Sequence, residues 1–186
     1  RKSPITIMSC DNICQNGAML EHSFFAYLYQ TAQYELAEWV KDNVKFPSCM
    51  VDRITPRTTH VLREEIEELF PGYGYNAIQT EEFSQWVIED KFACQFPDLC
   101  EVGVTITDNL EPYEVAKVRI LNGGHTSLAY IGVLSGYNRF DEVMSNQAHR
   151  KHFKLLQTEE IIPSIDIAFV KCTTAALEAQ YAVCPG

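Results

Sequence analysis

The pattern of apolar and polar positions changes character partway along the chain. Up to residue 108, short β-branched or alternating runs stand at 4–9 (PITIMS), 50–55 (MVDRIT), 83–90 (FSQWVIED) and 102–108 (VGVTITD). Runs of that length and composition fit a pleated sheet and predict strands. Between them, 24–44 (FFAYLYQTAQYELAEWVKDNV) and 58–70 (TTHVLREEIEELF) carry apolar residues at helical spacing. From Glu111 onward only helical patterns occur: 111–122, continuing or restarting through 125–135, then 138–154 and 158–181, with Pro163 a predicted break. The change near Asp108-Asn109-Leu110 predicts an α/β segment over residues 1–109, followed by a mostly α-helical segment over 110–186.

The strand ends are where chemistry is expected, because open α/β sheets build their sites in the loops that follow strands. PITIMS stops at CDN, which delivers Cys10, Asp11 and Asn12 into a loop. MVDRIT ends at Thr55-Pro56, since a residue before proline is restrained.

Composition narrows the class further. With 186 residues and 46% hydrophobic content, the chain can bury a substantial core. Its 25 acidic and 15 basic residues give a net charge of -10, and the basic residues are scattered, which disfavours a nucleic-acid groove or an anionic membrane surface. Small neutral or anionic ligands stay open, because the field inside a pocket can oppose the net charge. Seven cysteines, an odd number without a paired C-x-x-C pattern, predict a reduced cytoplasmic protein without a zinc site. No apolar run approaches a bilayer span, and RKSPITIMSC has too short an apolar stretch for a secretory signal.

One stretch resists a purely structural explanation. KVRILNGGHTSLAY (117–130) reads as helix, yet carries Gly123 and Gly124 side by side. Each glycine in a helix costs about 1 kcal/mol relative to alanine, so the pair needs a reason. Lys117, Asn122 and His125 fall within a broad arc of the same helix and could line one wall. Two readings are open. The missing side chains let a substrate or a flat cofactor ring approach that wall, or they mark close packing or a kink, with Asn122 capping the next segment and Lys117 reaching water.

SCDN with NG (9–17), FPSCMVDRITP (46–56), QWVIED (85–90) and EPYEVAKVRILNGGHTSLAYIGVLSG (111–136) together resemble the polyol-specific long-chain dehydrogenases, the family of mannitol 2-dehydrogenase and fructuronate reductase. The resemblance covers residues 5 to about 165. It implies the late part of a Rossmann-like dinucleotide-binding domain followed by a helical substrate domain, with NAD or NADP as cofactor, no metal, and a polyol or sugar acid as substrate. It also implies roles: Lys117 as general acid/base, Asn12 and Asn122 as holders of the reacting oxygen, and His125 as a substrate-positioning group. Asp52 is implied to lie near the nicotinamide end of the cofactor, with an ion pair to Arg53 or a neighbour as the alternative.

The chemistry is consistent on its own terms. Oxidising a secondary alcohol needs a base for the hydroxyl proton while hydride leaves the same carbon. A lysine serves when neutral, and burial against neighbours such as Leu121 is expected to favour that form. Asparagine amides supply N–H donors to the oxygen without adding charge.

Two features set limits. No G-x-G-x-x-G occurs, and GYGYN (72–76) follows a helix rather than a strand, so it is no phosphate loop. The expectation is a chain that starts at a late strand of the nucleotide domain. The alternative function is a non-catalytic helical binding or assembly module that retains such a site. His149 and His152 stand three apart but lack a further ligand in sequence, so no metal is expected there.

Overall fold

In the computed structural model, residues 3–165 are described. The predicted helix at 158–181 therefore lies largely outside the described residues. The elements run β1 (Ile5–Thr6), α1 (Asn16–Gln30), α2 (Tyr34–Asn43), β2 (Val44–Lys45), β3 (Cys49–Asp52), α3 (His60–Leu69), β4 (Gln85–Glu89) and β5 (Thr105–Thr107). They continue as α4 (Glu111–Ala116), a π-helical turn (Lys117–Asn122), α5 (Gly123–Ser135), α6 (Phe140–Ser145), α7 (Gln147–Leu155), a second π turn (Leu156–Ile161) and a closing 3-10 turn (Ile162–Ser164). Among the described residues, strands thus precede residue 108 and helices alone follow it.

The strands form two small sheets. β1 pairs with β2 in parallel, whereas β3 pairs antiparallel with β4, and β4 pairs in parallel with β5. The register sets Val51 opposite Trp86 and Asp52 opposite Gln85. Alternate residues of β3 face opposite sides: Cys49 packs with Ile88 and Val104, while Met50 packs with Val87, Leu110 and Tyr113. The second cluster fastens the start of the α4 helix to the sheet.

Several boundaries differ from the sequence pattern. The stretch 24–44 is two helices. α1 begins eight residues before the predicted start and ends where Ala32 takes φ 54, letting the Gln33 N–H return to the Leu28 carbonyl at 2.8 Å. Folding back lets Leu28, Ala37, Val40, Val44 and Phe46 bury one shared core. The predicted strand at 50–55 stops at Asp52, beyond which Ile54 is tied to Glu81 by N–H contacts at 2.7 and 3.1 Å. Of 102–108 only Thr105–Thr107 is strand, because Leu99–Val102 forms a 3-10 turn closed by Gly103 at φ 87. The stretch 138–154 breaks at Asn146, whose Oδ1 caps α7 by accepting from Ala148 N at 3.0 Å and His149 N at 3.4 Å.

Among the described residues, no helix is long and apolar enough to cross a membrane.

Candidate active site

α4, the first π turn and α5 form one continuous helical run, in which every residue from Ala116 to Gly123 that caps a segment keeps αR dihedrals. The π turn decides which side chains share a wall. In an α-helix, residues five apart diverge by roughly 140° around the axis. A π turn closes its hydrogen bonds at i to i+5, as Gly123 N–H does to the Val118 carbonyl, and so stacks such residues one above the other. Lys117 and Asn122 are five apart, and both line one cleft.

That cleft, about 640 Å³, is walled on one side by Lys117, Leu121, Asn122 and His125. On the other side stand Cys10 and Asn12 from the loop after β1, Asp52, Arg53 and Ile54 at the end of β3, and Gln85 and Trp86 of β4. The structure therefore brings Lys117, Asn12, Asn122, His125 and Asp52 to one place. The Lys117 ammonium donates a hydrogen bond to Asn12 Oδ1 across 105 positions of sequence. The Asn122 side chain makes no cap to α5, so its amide is not spent on the helix. Its backbone carbonyl instead accepts from Thr126 Oγ1 at 2.9 Å.

The glycine pair has separate explanations. A Cβ on Gly124 would lie 2.3 Å from Gln157 Nε2 and 3.2 Å from the Phe153 ring, so this glycine serves close helix packing. At Gly123 the nearest atom is 3.6 Å away, an ordinary contact. Of the two readings left open for the pair, close packing holds at Gly124, where the space is filled by the protein itself.

Burial dominates the electrostatics. It pushes the Asp52 carboxyl above its ordinary value; Lys117 pulls it back, and Glu81 adds to the rise. Asp52 makes no ion pair with Arg53 among the described residues; Arg53 Nε donates to the Glu81 carbonyl instead, at 3.0 Å. Burial pushes the His125 imidazole below its ordinary value, opposed by Glu81. The ring also stacks on Phe140 with centroids 5.4 Å apart and planes 11° apart, a contact that orients it.

A stability prediction follows from Asp52. Its folded pKa is raised, so between the unfolded value of 3.8 and the folded value the native state holds more protons than the unfolded one. Stability from this site falls as pH rises through that window. Asp52→Asn should therefore raise the thermal midpoint at pH 7, with the gain shrinking as pH approaches 4. Thermal scans across pH check it; a less stable variant at pH 7 would mean that attraction to Lys117 outweighs burial.

Sequence pattern alone did not point to Trp86, Gln85 or Arg53 as cleft residues. Their signal lies in the register of β3 on β4, which a single strand does not reveal. Nor did it point to Asn16, buried with Nδ2 on the Asp11 and Cys49 carbonyls at 2.9 and 2.8 Å and Oδ1 accepting from Cys49 N at 2.9 Å. This amide holds the Asn12 loop against β3.

A nicotinamide ring fits what the cleft offers: a partly apolar wall from Val51, Trp86 and Leu121 with a carboxylate beside it. A pyrophosphate cradle does not occur among the described residues. Gly74 of GYGYN lies after α3, and a Cβ there would meet the Arg63 carbonyl at 2.6 Å, so that glycine serves local packing. No group of three His, Cys, Asp or Glu among the described residues could hold a metal ion; His149 instead sits 3.4 Å from Ser135 Oγ and edge-on to Tyr137.

A mixed sheet is joined to a helical run, with lysine, asparagines and histidine meeting between them, and comparison with known proteins places this arrangement. The chain belongs to the mannitol dehydrogenase family: the mannitol dehydrogenase Rossmann domain matches residues 1–101 and the mannitol dehydrogenase C-terminal domain residues 109–180. It is 36% identical over 180 residues to mannitol dehydrogenase 2 of Saccharomyces cerevisiae, covering 95% of this chain and 36% of the relative. It is 40% identical over 162 residues to the D-mannonate oxidoreductase of Escherichia coli, covering 87% and 33% respectively. Among solved structures, the mannitol 2-dehydrogenase of Pseudomonas fluorescens in ternary complex with NAD and D-mannitol superposes with a TM-score of 0.73 at 33% identity, over 94% of this chain and 36% of that one. A substrate-free D-sorbitol dehydrogenase gives a TM-score of 0.78 at 33% identity, over 87% and 33%. The chain thus spans about a third of the length of these relatives.

Proposed function

We propose that this chain forms the substrate half of an NAD- or NADP-dependent oxidoreductase that interconverts a sugar alcohol or aldonate with its ketose or keto-uronate. The reading divides the chain into residues 1–109, the late part of a nucleotide-binding domain, and 110–186, the helical substrate part; the change from strands to helices near residue 108 supports it. The observation that carries the reading is the Lys117 hydrogen bond to Asn12, which joins a helix to a strand-end loop at the mouth of one cleft with Asn122 and His125. Lys117 takes the proton of the substrate hydroxyl in oxidation and returns it in reduction. With Asn12 Oδ1 engaged by Lys117, its Nδ2 remains for the reacting oxygen, and Asn122 supplies a second amide. Both steady the charge that gathers as the proton leaves. His125, neutral at neutral pH because burial disfavours its charged form, hydrogen-bonds substrate hydroxyls without adding charge. A bound nicotinamide would supply the hydride acceptor, and Asp52, which lines the cleft beside Trp86, would help hold it.

The test is a screen of the full-length protein for reduction of NAD or NADP with polyols and aldonates, mannitol and mannonate among them. Turnover of none of these, in either direction, would overturn the reading. Within it, Asn122→Ala should lower turnover by about 10²–10³-fold, the usual effect of removing one donor to a developing oxyanion. Steady-state kinetics should still show a pH-dependent rate, since the base remains.

A further inference from the structure

Gln157 lies outside the cleft, on the second π turn, and has no solvent exposure. Its Nε2 donates to the Ile120 carbonyl at 3.1 Å, in the middle of the π turn that carries Lys117 and Asn122. The same Nε2 fills the space above Gly124 that a Cβ would occupy. Its Oε1 has no hydrogen-bond partner among the described residues. A buried amide left half unpaired costs free energy that an apolar side chain of similar length would not. Packing alone therefore does not account for a glutamine here.

Regular α-helical winding would separate Lys117 from Asn122 around the axis, and a π turn is the rarer, wider winding that keeps them together. From outside this helix the Gln157 side chain hydrogen-bonds the turn's interior backbone, and Gly124 is what lets it reach. We propose that Gln157 is a positioning residue: through its bond to the Ile120 carbonyl it holds the π turn that sets Lys117 and Asn122 on one wall of the cleft. The proposal rests on the dehydrogenase reading given above. Gln157 touches no reacting atom; it acts through the two residues that do.

Gln157→Met keeps the length and removes the donor. In the full-length protein it should lower oxidation turnover about 10–100-fold, the scale of a misplacement near 1 Å, while the nicotinamide dissociation constant stays within about twofold. Because part of the effect runs through the placement of Asn122 and the rest through Lys117, the fold-loss should be smaller in an Asn122→Ala background than in the parent, a non-additivity that a general loss of stability would not produce. Gln157→Glu adds a second readout. Protonated, its O–H can still donate to Ile120; ionised, it cannot. Oxidation by this variant should gain a descending limb at high pH that the parent lacks. Unchanged turnover in Gln157→Met, or an equal loss in both backgrounds, overturns the proposal. If Gln157→Met does not fold, the Gln157→Glu profile decides, and absence of the descending limb overturns it. Lys117→Ala, measured alongside, separates the two claims. Absence of turnover in the parent would remove the dehydrogenase reading and full activity in Lys117→Ala the base role of Lys117, whereas collapse of Lys117→Ala together with an unaffected Gln157→Met would remove only the role of Gln157.

Discussion

Lys117→Ala should lower alcohol oxidation by the full-length protein by about 10²–10⁴-fold, the range expected when a positioned general base is lost. Nicotinamide binding should change little, because the Lys117 ammonium is hydrogen-bonded to Asn12 and its proposed role is toward the substrate hydroxyl. In the parent, oxidation should rise with pH as the amine loses its proton, and carbonyl reduction should fall over the same range because it needs the protonated form. The variant should lose that opposition between the two directions. Small primary amines added to the assay should return part of the rate by occupying the vacated space as diffusible bases. Near-normal oxidation with an unaltered pH profile would mean that Lys117 is not the base. Its bond to Asn12 would then be a structural tie between sheet and helix.

The largest effect on stability is expected at Gly17. A Cβ built there lies 2.5 Å from the Pro47 carbonyl carbon and oxygen and from Ser48 N. All three are backbone atoms, so no flexible side-chain end can move aside. The neighbouring Asn16 locks the same contact through its bonds to the Cys49 N–H and carbonyl. Gly17→Ala should cost about 3 kcal/mol, the upper part of the usual range for overpacking. At this chain length that corresponds to a fall of roughly 6–12 °C in Tm. Gly123→Ala is the matched control. Its nearest atom is at 3.6 Å, so it should be neutral or gain about 0.5 kcal/mol from reduced freedom of the unfolded chain. Circular-dichroism melting of both variants checks the contrast, and an unchanged Tm for Gly17→Ala would show that the α1 start and the Pro47–Ser48 backbone are not in close contact.

The sequence made some of this legible and hid the rest for identifiable reasons. The strands around 50–52, 85–89 and 105–107 are marked by β-branched runs, and the shift to helix after 110 by a change of period. Lys117, Asn122, His125, Asn12 and Asp52 were all named from motif and resemblance, and the structure lines one cleft with them. The break between α1 and α2 was hidden because the left-handed position is Ala32, not the glycine or asparagine that usually signals one. The helical tail split was hidden because Asn146 serves as a cap inside a stretch whose apolar spacing continues across it. Winding was the least visible feature. Helical periodicity assumes about 100° per residue, so it places Lys117 and Asn122 only within a broad arc, and nothing in KVRILN announces a wider turn. The reason for Gly124 was likewise non-local, since Phe153 and Gln157 arrive from a different helix.

The π turn also makes the length of this stretch a constraint in its own right. One face of the helical run is keyed to the sheet through Leu110 and Tyr113, and the other end is keyed to the helical bundle through Leu128, which packs with Val143, Met144 and Phe153. The wider turn is the joint at which these two registers are reconciled. Exposed side chains there that touch neither anchor, such as Val118, are free to vary in kind. Their number is not. Gaining or losing one residue between Lys117 and Asn122 would turn one anchored face by about 100° against the other, so this segment tolerates spelling changes but not insertions or deletions.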